Sequence, residues 1–229
     1  MSFAPAIQLE GLAIEAGKKR LLGPVDLSIA SGEYVLVVGP SGSGKTTLLR
    51  AIAGLSVPAQ GSIKLDDQLV SSPGKLSVPP QDRGVGMLFQ GAALWPHLSV
   101  RKTLAFVLKP RKFAGSELNA RIEELLDAVE LSGFEDRMPG TLSGGERQRL
   151  ALARALATEP RFLLMDEPLG PLDAELRSNL LERIERLHLD QEWTTLHVTH
   201  DPQPVRSIAS REIRIENGQL VENPAEVTE

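Results

Sequence analysis

The chain has 229 residues, enough for a substantial core, and carries a formal net charge of −5 with a pI near 5.5, which argues against a general nucleic-acid-binding surface. It has no cysteine, which excludes disulfides and thiolate metal sites and fits a reducing compartment. Residues 1–5 lack the charged and apolar regions of a secretory signal, and no apolar run approaches the ~20 residues of a membrane helix, so the expectation is a soluble protein whose membrane role would run through a partner.

In chain order, Ile7, Leu9, Leu12 and Ile14 alternate as a half-buried strand with a slip at Gly11. Lys18-Lys19-Arg20 reads as a solvated turn, as does the second basic cluster, Lys109-Pro110-Arg111-Lys112. Val25 to Ile29 alternates as a second strand. Tyr34-Val35-Leu36-Val37-Val38 is apolar throughout and predicts a buried strand, and Leu48 to Ala53 predicts a helix. Between them lies Gly39-Pro40-Ser41-Gly42-Ser43-Gly44-Lys45-Thr46-Thr47. A strand, a glycine-rich loop and a helix opened by Lys-Thr make a phosphate-binding loop. The glycines let backbone N–H groups converge on one anion, and the helix N-terminus adds unsatisfied donors. Lys45 brings an ammonium to the terminal phosphates, and Thr46 offers a hard oxygen to Mg²⁺.

Further on, Ile63 to Leu65 predicts a short strand, and residues 70–82, rich in Ser, Pro and Gly, predict a loop. Val85 to Phe89 predicts a buried strand ending at Gln90. Residues 99 to about 136 predict a helical block, with Leu118, Ile122, Leu125, Leu126 and Val129 on its apolar face. Ser143 opens a long helix through Ala157, with Glu146 three residues on as a capping box. Gly144 and Gly145 are poor helix formers for a first turn and fit a place where a ligand approaches the backbone, a second anion site. Arg161 to Met165 predicts a buried strand whose apolar run Phe162 to Met165 ends in Asp166-Glu167-Pro168. Behind a phosphate loop, Asp166 suits support of the metal and Glu167 suits orienting or deprotonating a water; a solvated turn is the plainer alternative. Asp173 is the expected cap of a helix striped by Leu176, Leu180, Ile184 and Leu187. Thr194 to Thr199 predicts a strand, 211–216 and 219–221 predict a hairpin about Asn217-Gly218, and the polar tail 222–229 is expected to fray.

These motifs, in this order, resemble the ATP-binding cassette (ABC) ATPases: the loop 39–47, Gln90 after a strand, Leu142 to Gln148, Asp166-Glu167, the loop 169–173, and His200 after Val198-Thr199. The resemblance runs from about residue 7 to 221. It implies an α/β fold with a P-loop NTPase core of mostly parallel sheet, an N-terminal antiparallel β subdomain and a helical signature subdomain at about 95–157, all in one domain. It implies ATP and Mg²⁺ as ligands. Gly39 to Thr47 would bind the phosphates; Thr46, Asp166 and Gln90 would serve the metal; Glu167 would be the catalytic carboxylate, with His200 and Gln90 positioning the attack. Ser143, Gly144 and Gly145 would cover the γ-phosphate of ATP on a second chain, in an ATP-dependent head-to-tail homodimer or a pairing with a similar ATPase. Taken alone, His200 reads rather as a satisfied histidine at a strand end.

The stretch 79–90 and Leu94 to Val100 resembles the bacterial importer branch. That implies membrane permease subunits, a substrate-binding protein, no nucleic-acid partner, and a cytoplasmic, peripheral place at the membrane. Leu94 and Trp95 would receive the permease, unless Trp95 packs inward. An exporter subunit or a non-transport ATP switch are the alternatives. The chain departs from the family pattern at Ala16, where relatives carry an aromatic that stacks on adenine, and at Pro171, in a loop that usually reads Ser-Ala before Leu-Asp. No C-terminal regulatory domain is expected after Val221.

Overall fold

The structure, a computed structural model, describes residues 5–170 and 174–221. The expected cap Asp173, Pro171 and the tail 222–229 lie outside the described residues.

Two sheets organise the chain. The first is antiparallel, in the order β2-β1-β4-β5-β6, from β1 (Ile7–Ala16), β2 (Lys19–Ile29), β4 (Gln60–Leu65), β5 (Gln68–Ser72) and β6 (Lys75–Leu76). The second has the order β11-β10-β3-β9-β8-β7, from β3 (Tyr34–Val38), β7 (Val85–Leu88), β8 (Phe162–Asp166), β9 (Thr194–Val198), β10 (Arg211–Glu216) and β11 (Gln219–Val221). It is parallel except for the β10–β11 hairpin. The helices are α1 (Lys45–Ile52), α2 (Val100–Leu108), α3 (Gly115–Ala128), α4 (Gly144–Leu156) and α5 (Ala174–Gln191).

The continuous apolar run of β3 follows from its place. Tyr34, Leu36 and Val38 feed one hydrophobic core, while Val35 and Val37 feed another on the opposite face. β8 divides likewise, with Leu163 and Met165 on one side and Phe162 and Leu164 on the other. A parallel strand covered on both faces has no polar side to show. The first core takes in α2 to α5; the second takes in α1 and the antiparallel sheet. The slip at Gly11 is present: the register of β1 shifts between Leu9 and Leu12, and the Gly11 N–H donates to Asp26 Oδ1 at 2.7 Å.

Two expectations need correction. Residues 70–82 are not simply loop, since β5, β6 and a 3-10 turn at Pro80–Asp82 lie there. The ribbon is pinned by Arg83, only 4% exposed, which donates to the carbonyls of Ile52, Val70 and Val78 and to Ser71 Oγ. A buried cation that also donates to the Ala51 carbonyl, and so serves five acceptors, supplies order that Ser-, Pro- and Gly-rich composition does not reveal. Gly54 admits it, since a Cβ there would lie 2.6 Å from the guanidinium. The helical block also stops short of 136: α3 ends at Ala128, and Glu130 takes the left-handed region at φ 54°. Its apolar face is as expected, with Ile122, Leu125, Leu126 and Val129 buried.

Candidate functional site

The phosphate loop is the link between β3 and α1. It sits at the C-terminal end of the parallel strands, where ligands gather in open α/β sheets. Its glycines are required rather than merely tolerated. Gly39, Gly42 and Gly44 have φ of 147°, 77° and 111°, and a Cβ on Gly39 would lie 2.1 Å from the Ile215 carbonyl oxygen. Gly44 is the N-cap of α1 and supplies no side chain to close it, so the helix begins with unclaimed donors. Lys45 is 6% exposed, and its Nζ donates back to the carbonyls of Gly39 and Pro40 at 2.7 and 2.9 Å. Burial pushes the Lys45 ammonium below its ordinary range, while Glu167 and Asp166 oppose that shift. The Ser43 hydroxyl is buried with no hydrogen-bond partner among the described residues.

β8 delivers the two acids. Thr46 Oγ1 donates to Asp166 Oδ1 at 3.0 Å, tying the first turn of α1 to the strand end. Asp166 is 5% exposed; burial raises its carboxyl, Glu167 adds to that, and the Thr46 hydrogen bond, Arg50 and Lys45 oppose it. Glu167 adopts the left-handed region at φ 46°, uncommon for a non-glycine residue and a mark of strain held for position. Its Oε2 lies 2.9 Å from His200 Nδ1, so the strand ends of β8 and β9 meet side chain to side chain.

A cavity of about 870 Å³ opens over the loop. Ser41, Gly42, Gly44, Lys45, Thr46 and Thr47 form its floor, with Gln90, Glu167 and His200 on its walls. Gly39, Pro40 and Ser43 belong to the loop without lining the space, and Asp166 stands one hydrogen bond behind it through Thr46. Ser143, Gly144 and Gly145 do not line it. They lie at the N-terminus of α4, where the capping box is formed: Ser143 Oγ accepts from the Glu146 N–H, and Glu146 Oε2 accepts from the Ser143 N–H. Farther along α4, the buried Gln148 donates to the Pro168 carbonyl, joining this helix to the turn after Glu167.

Sequence reasoning missed two segments of the cavity. Lys19, Arg20 and Leu21 line it, so Lys18-Lys19-Arg20 is not simply a solvated turn. So do Asn217 and Gly218 of the β10–β11 turn; the Gly218 N–H donates to the Ser43 carbonyl at 2.9 Å. The parallel pairing of β10 with β3 carries that turn to the loop, and the Asn-Gly signal marked a turn without saying whose neighbour it was. The cluster at 109–112 is surface, with Arg111 paired to Glu159 at 2.9 Å.

Trp95 is half-buried, edge to face with the exposed Phe106 at 5.1 Å, while Leu94 packs on the core. Beneath it Arg154 donates to the Ala93 carbonyl.

An open parallel sheet that carries this loop at its C-terminal edge, with an acid pair beside it, defines a phosphate-binding α/β protein of the P-loop class. The sequence profile of the ABC transporter family matches residues 22–170, and the chain belongs to that family. A sulfate/thiosulfate import ATP-binding protein of Thermosynechococcus vestitus is 45% identical over 223 residues, 96% of this chain and 65% of that protein. A spermidine/putrescine import ATP-binding protein of Thermotoga maritima is 43% identical over 212 residues, 92% of this chain and 56% of that one. The chain therefore spans a little under two thirds of the length of such relatives. A solved dimeric ATP-binding cassette in a post-hydrolysis state, bound to ADP and Pi, matches with a TM-score of 0.85 at 30% identity, over 94% of this chain and 97% of that chain.

Proposed function

We propose that the chain binds and hydrolyses ATP as the nucleotide-binding subunit of an importer, driving membrane permease subunits supplied by a substrate-binding protein. The observation that carries the chemistry is a single cavity shared by the phosphate loop, Gln90, Glu167 and His200. Uncapped donors of α1 and the unpartnered Ser43 hydroxyl suit the phosphates of a nucleotide. With an anion present, the Lys45 ammonium turns from its own loop carbonyls to the terminal phosphates.

Thr46, Asp166 and Gln90 suit Mg²⁺, which takes few protein ligands and keeps its waters. Among the described residues no cluster of three acidic or histidine groups competes with that arrangement. When bound, the ion neutralises phosphate charge. Glu167 accepts a proton from the attacking water, whose oxygen bonds to the γ-phosphorus as the bond to the β-phosphate oxygen breaks. His200, hydrogen-bonded to Glu167, holds that carboxylate and faces the γ-phosphate.

Ser143, Gly144 and Gly145 act on the nucleotide of a second copy, since they lie outside their own chain's cavity. The dimer is then isologous and closes only on the triphosphate. The half-buried Trp95 and exposed Phe106 form the face offered to the permease. The import role is supported by the two import proteins named above, and it places the chain at the cytoplasmic face of the membrane. Among the described residues no helix is long and apolar enough to cross one.

Glu167→Gln tests the core of this reading. The variant is expected to hold Mg-ATP, lose about 1,000-fold in hydrolysis, and elute as a dimer by size exclusion. A monomer at saturating Mg-ATP would count against the shared site.

A further inference from the structure

We propose that Arg20, steadied by Glu15, is the platform on which the nucleotide base rests. The inference rests on the ATP reading above and concerns the end of the cavity that reading leaves undescribed. Thr46, Asp166, Glu167 and His200 gather on the hydrolytic side, where the terminal phosphate belongs. The wall formed by Lys19, Arg20 and Leu21 is contributed by β2, from the other sheet. It abuts the start of α1, since a Cβ on Gly44 would lie 3.0 Å from the Leu21 carbonyl oxygen. A triphosphate laid over the loop with its last phosphate at Glu167 directs its sugar and base toward this wall.

Among the described residues, no Phe, Tyr or Trp lines this wall. Phe3 and Tyr34 bracket a stretch without Phe, Tyr or Trp, and Tyr34 is buried in the sheet against His197 and His188. Ala16, at the end of β1, pairs in register with Lys19 and has no ring to offer. One step along, Glu15 pairs with Arg20, and Arg20 Nε and Nη2 both reach Glu15 Oε1, at 3.4 and 3.3 Å. The carboxylate holds one edge of the guanidinium, and the Arg20 side chain stays 46% exposed. A planar, weakly hydrated cation fixed in this way stacks on a π-face, as arginine does on nucleobases. Lys19 beside it has no plane to stack.

A contact made only with the face of a base does not read its edge, so purines should be weakly distinguished. ATP and GTP are expected to bind within about threefold of each other, since edge hydrogen bonds rather than stacking carry discrimination. A preference beyond tenfold overturns the proposal.

The decisive measurement compares ATP with inorganic tripolyphosphate, which has the phosphates and no base, by equilibrium binding with Mg²⁺ present. Arg20→Ala is expected to weaken ATP about fivefold to tenfold, the effect of losing one stacking partner, and tripolyphosphate less than twofold. Adding Ala16→Tyr to Arg20→Ala is expected to recover ATP affinity by supplying a ring at the paired strand end. Equal losses for both ligands would make Arg20 a phosphate contact and overturn the proposal while leaving the ATP reading intact. A wild-type chain that binds neither ligand would overturn both.

Discussion

α1 and α4 each have a glycine at their opening, Gly44 as the N-cap of α1 and Gly144 as the first residue of α4, and they open in opposite ways. α1 opens at Gly44, left-handed at φ 111°, with no side chain closing its donors. α4 opens at Ser143, whose hydroxyl and whose partner Glu146 satisfy each other's backbone reciprocally. The first end is left open and costly: Asp166 is buried against its preference, Glu167 is held at positive φ, and the Ser43 hydroxyl lacks a partner among the described residues. The second end is partly closed without a ligand: the capping box takes the Ser143 and Glu146 N–H groups and does not reach those of Gly144 and Gly145. An open terminus waits for an anion, whereas a self-capped one can serve an anion only as one contributor among several, which fits the dimer proposed above.

The largest expected effect lies at the open end. Lys45→Ala removes the buried ammonium and leaves the Gly39 and Pro40 carbonyls without their donor. Affinity for Mg-ATP is expected to fall at least ~100-fold, or about 2.7 kcal/mol, measured by calorimetry or nucleotide fluorescence. Retained tight binding would mean that the α1 end is not the phosphate site.

The cost of that openness is testable through pH. Asp166 sits above its ordinary value of 3.8, chiefly because burial penalises its charge. A raised acid pKa means the folded state holds the proton more tightly than the unfolded state does. The penalty is therefore absent below pH 3.8 and fully present once pH has risen past the folded value. Asp166→Asn keeps an acceptor for Thr46 and removes the charge. The melting temperature without nucleotide is expected to rise at pH 7 by about 2–4 °C, the shift that ~1 kcal/mol gives a chain of this size. The gain should shrink as pH falls toward 4, while hydrolysis is lost. A lower melting temperature at every pH would show that Asp166 stabilises the fold and that the site carries no such cost.

The same contrast separates what sequence conveys from what it hides. The loop 39–47, the strand before it, the acids at the end of β8 and the capping box at Ser143 are each local, set by residues within a few positions, and each stands where spacing puts it. The Arg83 staple is not local: its acceptors come from α1, β5 and the segment before the 3-10 turn, so a Ser- and Pro-rich stretch reads as loop. Nor is the far wall of the cavity. Arg20 and Gly218 lie 198 positions apart in the chain, and strand pairing brings both to the loop. Their side chains look like ordinary turn residues until the sheets are assembled.

The smallest effect belongs to the closed end and decides whether the two ends differ in kind. Ser143→Ala deletes the hydroxyl that accepts from the Glu146 N–H at 3.2 Å, leaving one first-turn donor to water. Loss of such a cap costs about 1 kcal/mol, which lowers the melting temperature by roughly 2–4 °C. Because Ser143 lies outside its own chain's cavity, the affinity of the monomer for Mg-ATP is expected to stay within about twofold of wild type, whereas bound anions gain only from donors they touch. Combined with Glu167→Gln, the substitution should weaken the ATP-dependent dimer, read as a higher chain concentration at half-dimerisation by analytical ultracentrifugation. A monomer affinity that falls as far as in Lys45→Ala would place both helix ends on the same nucleotide within one chain, and the division between an open and a self-capped terminus would then fail.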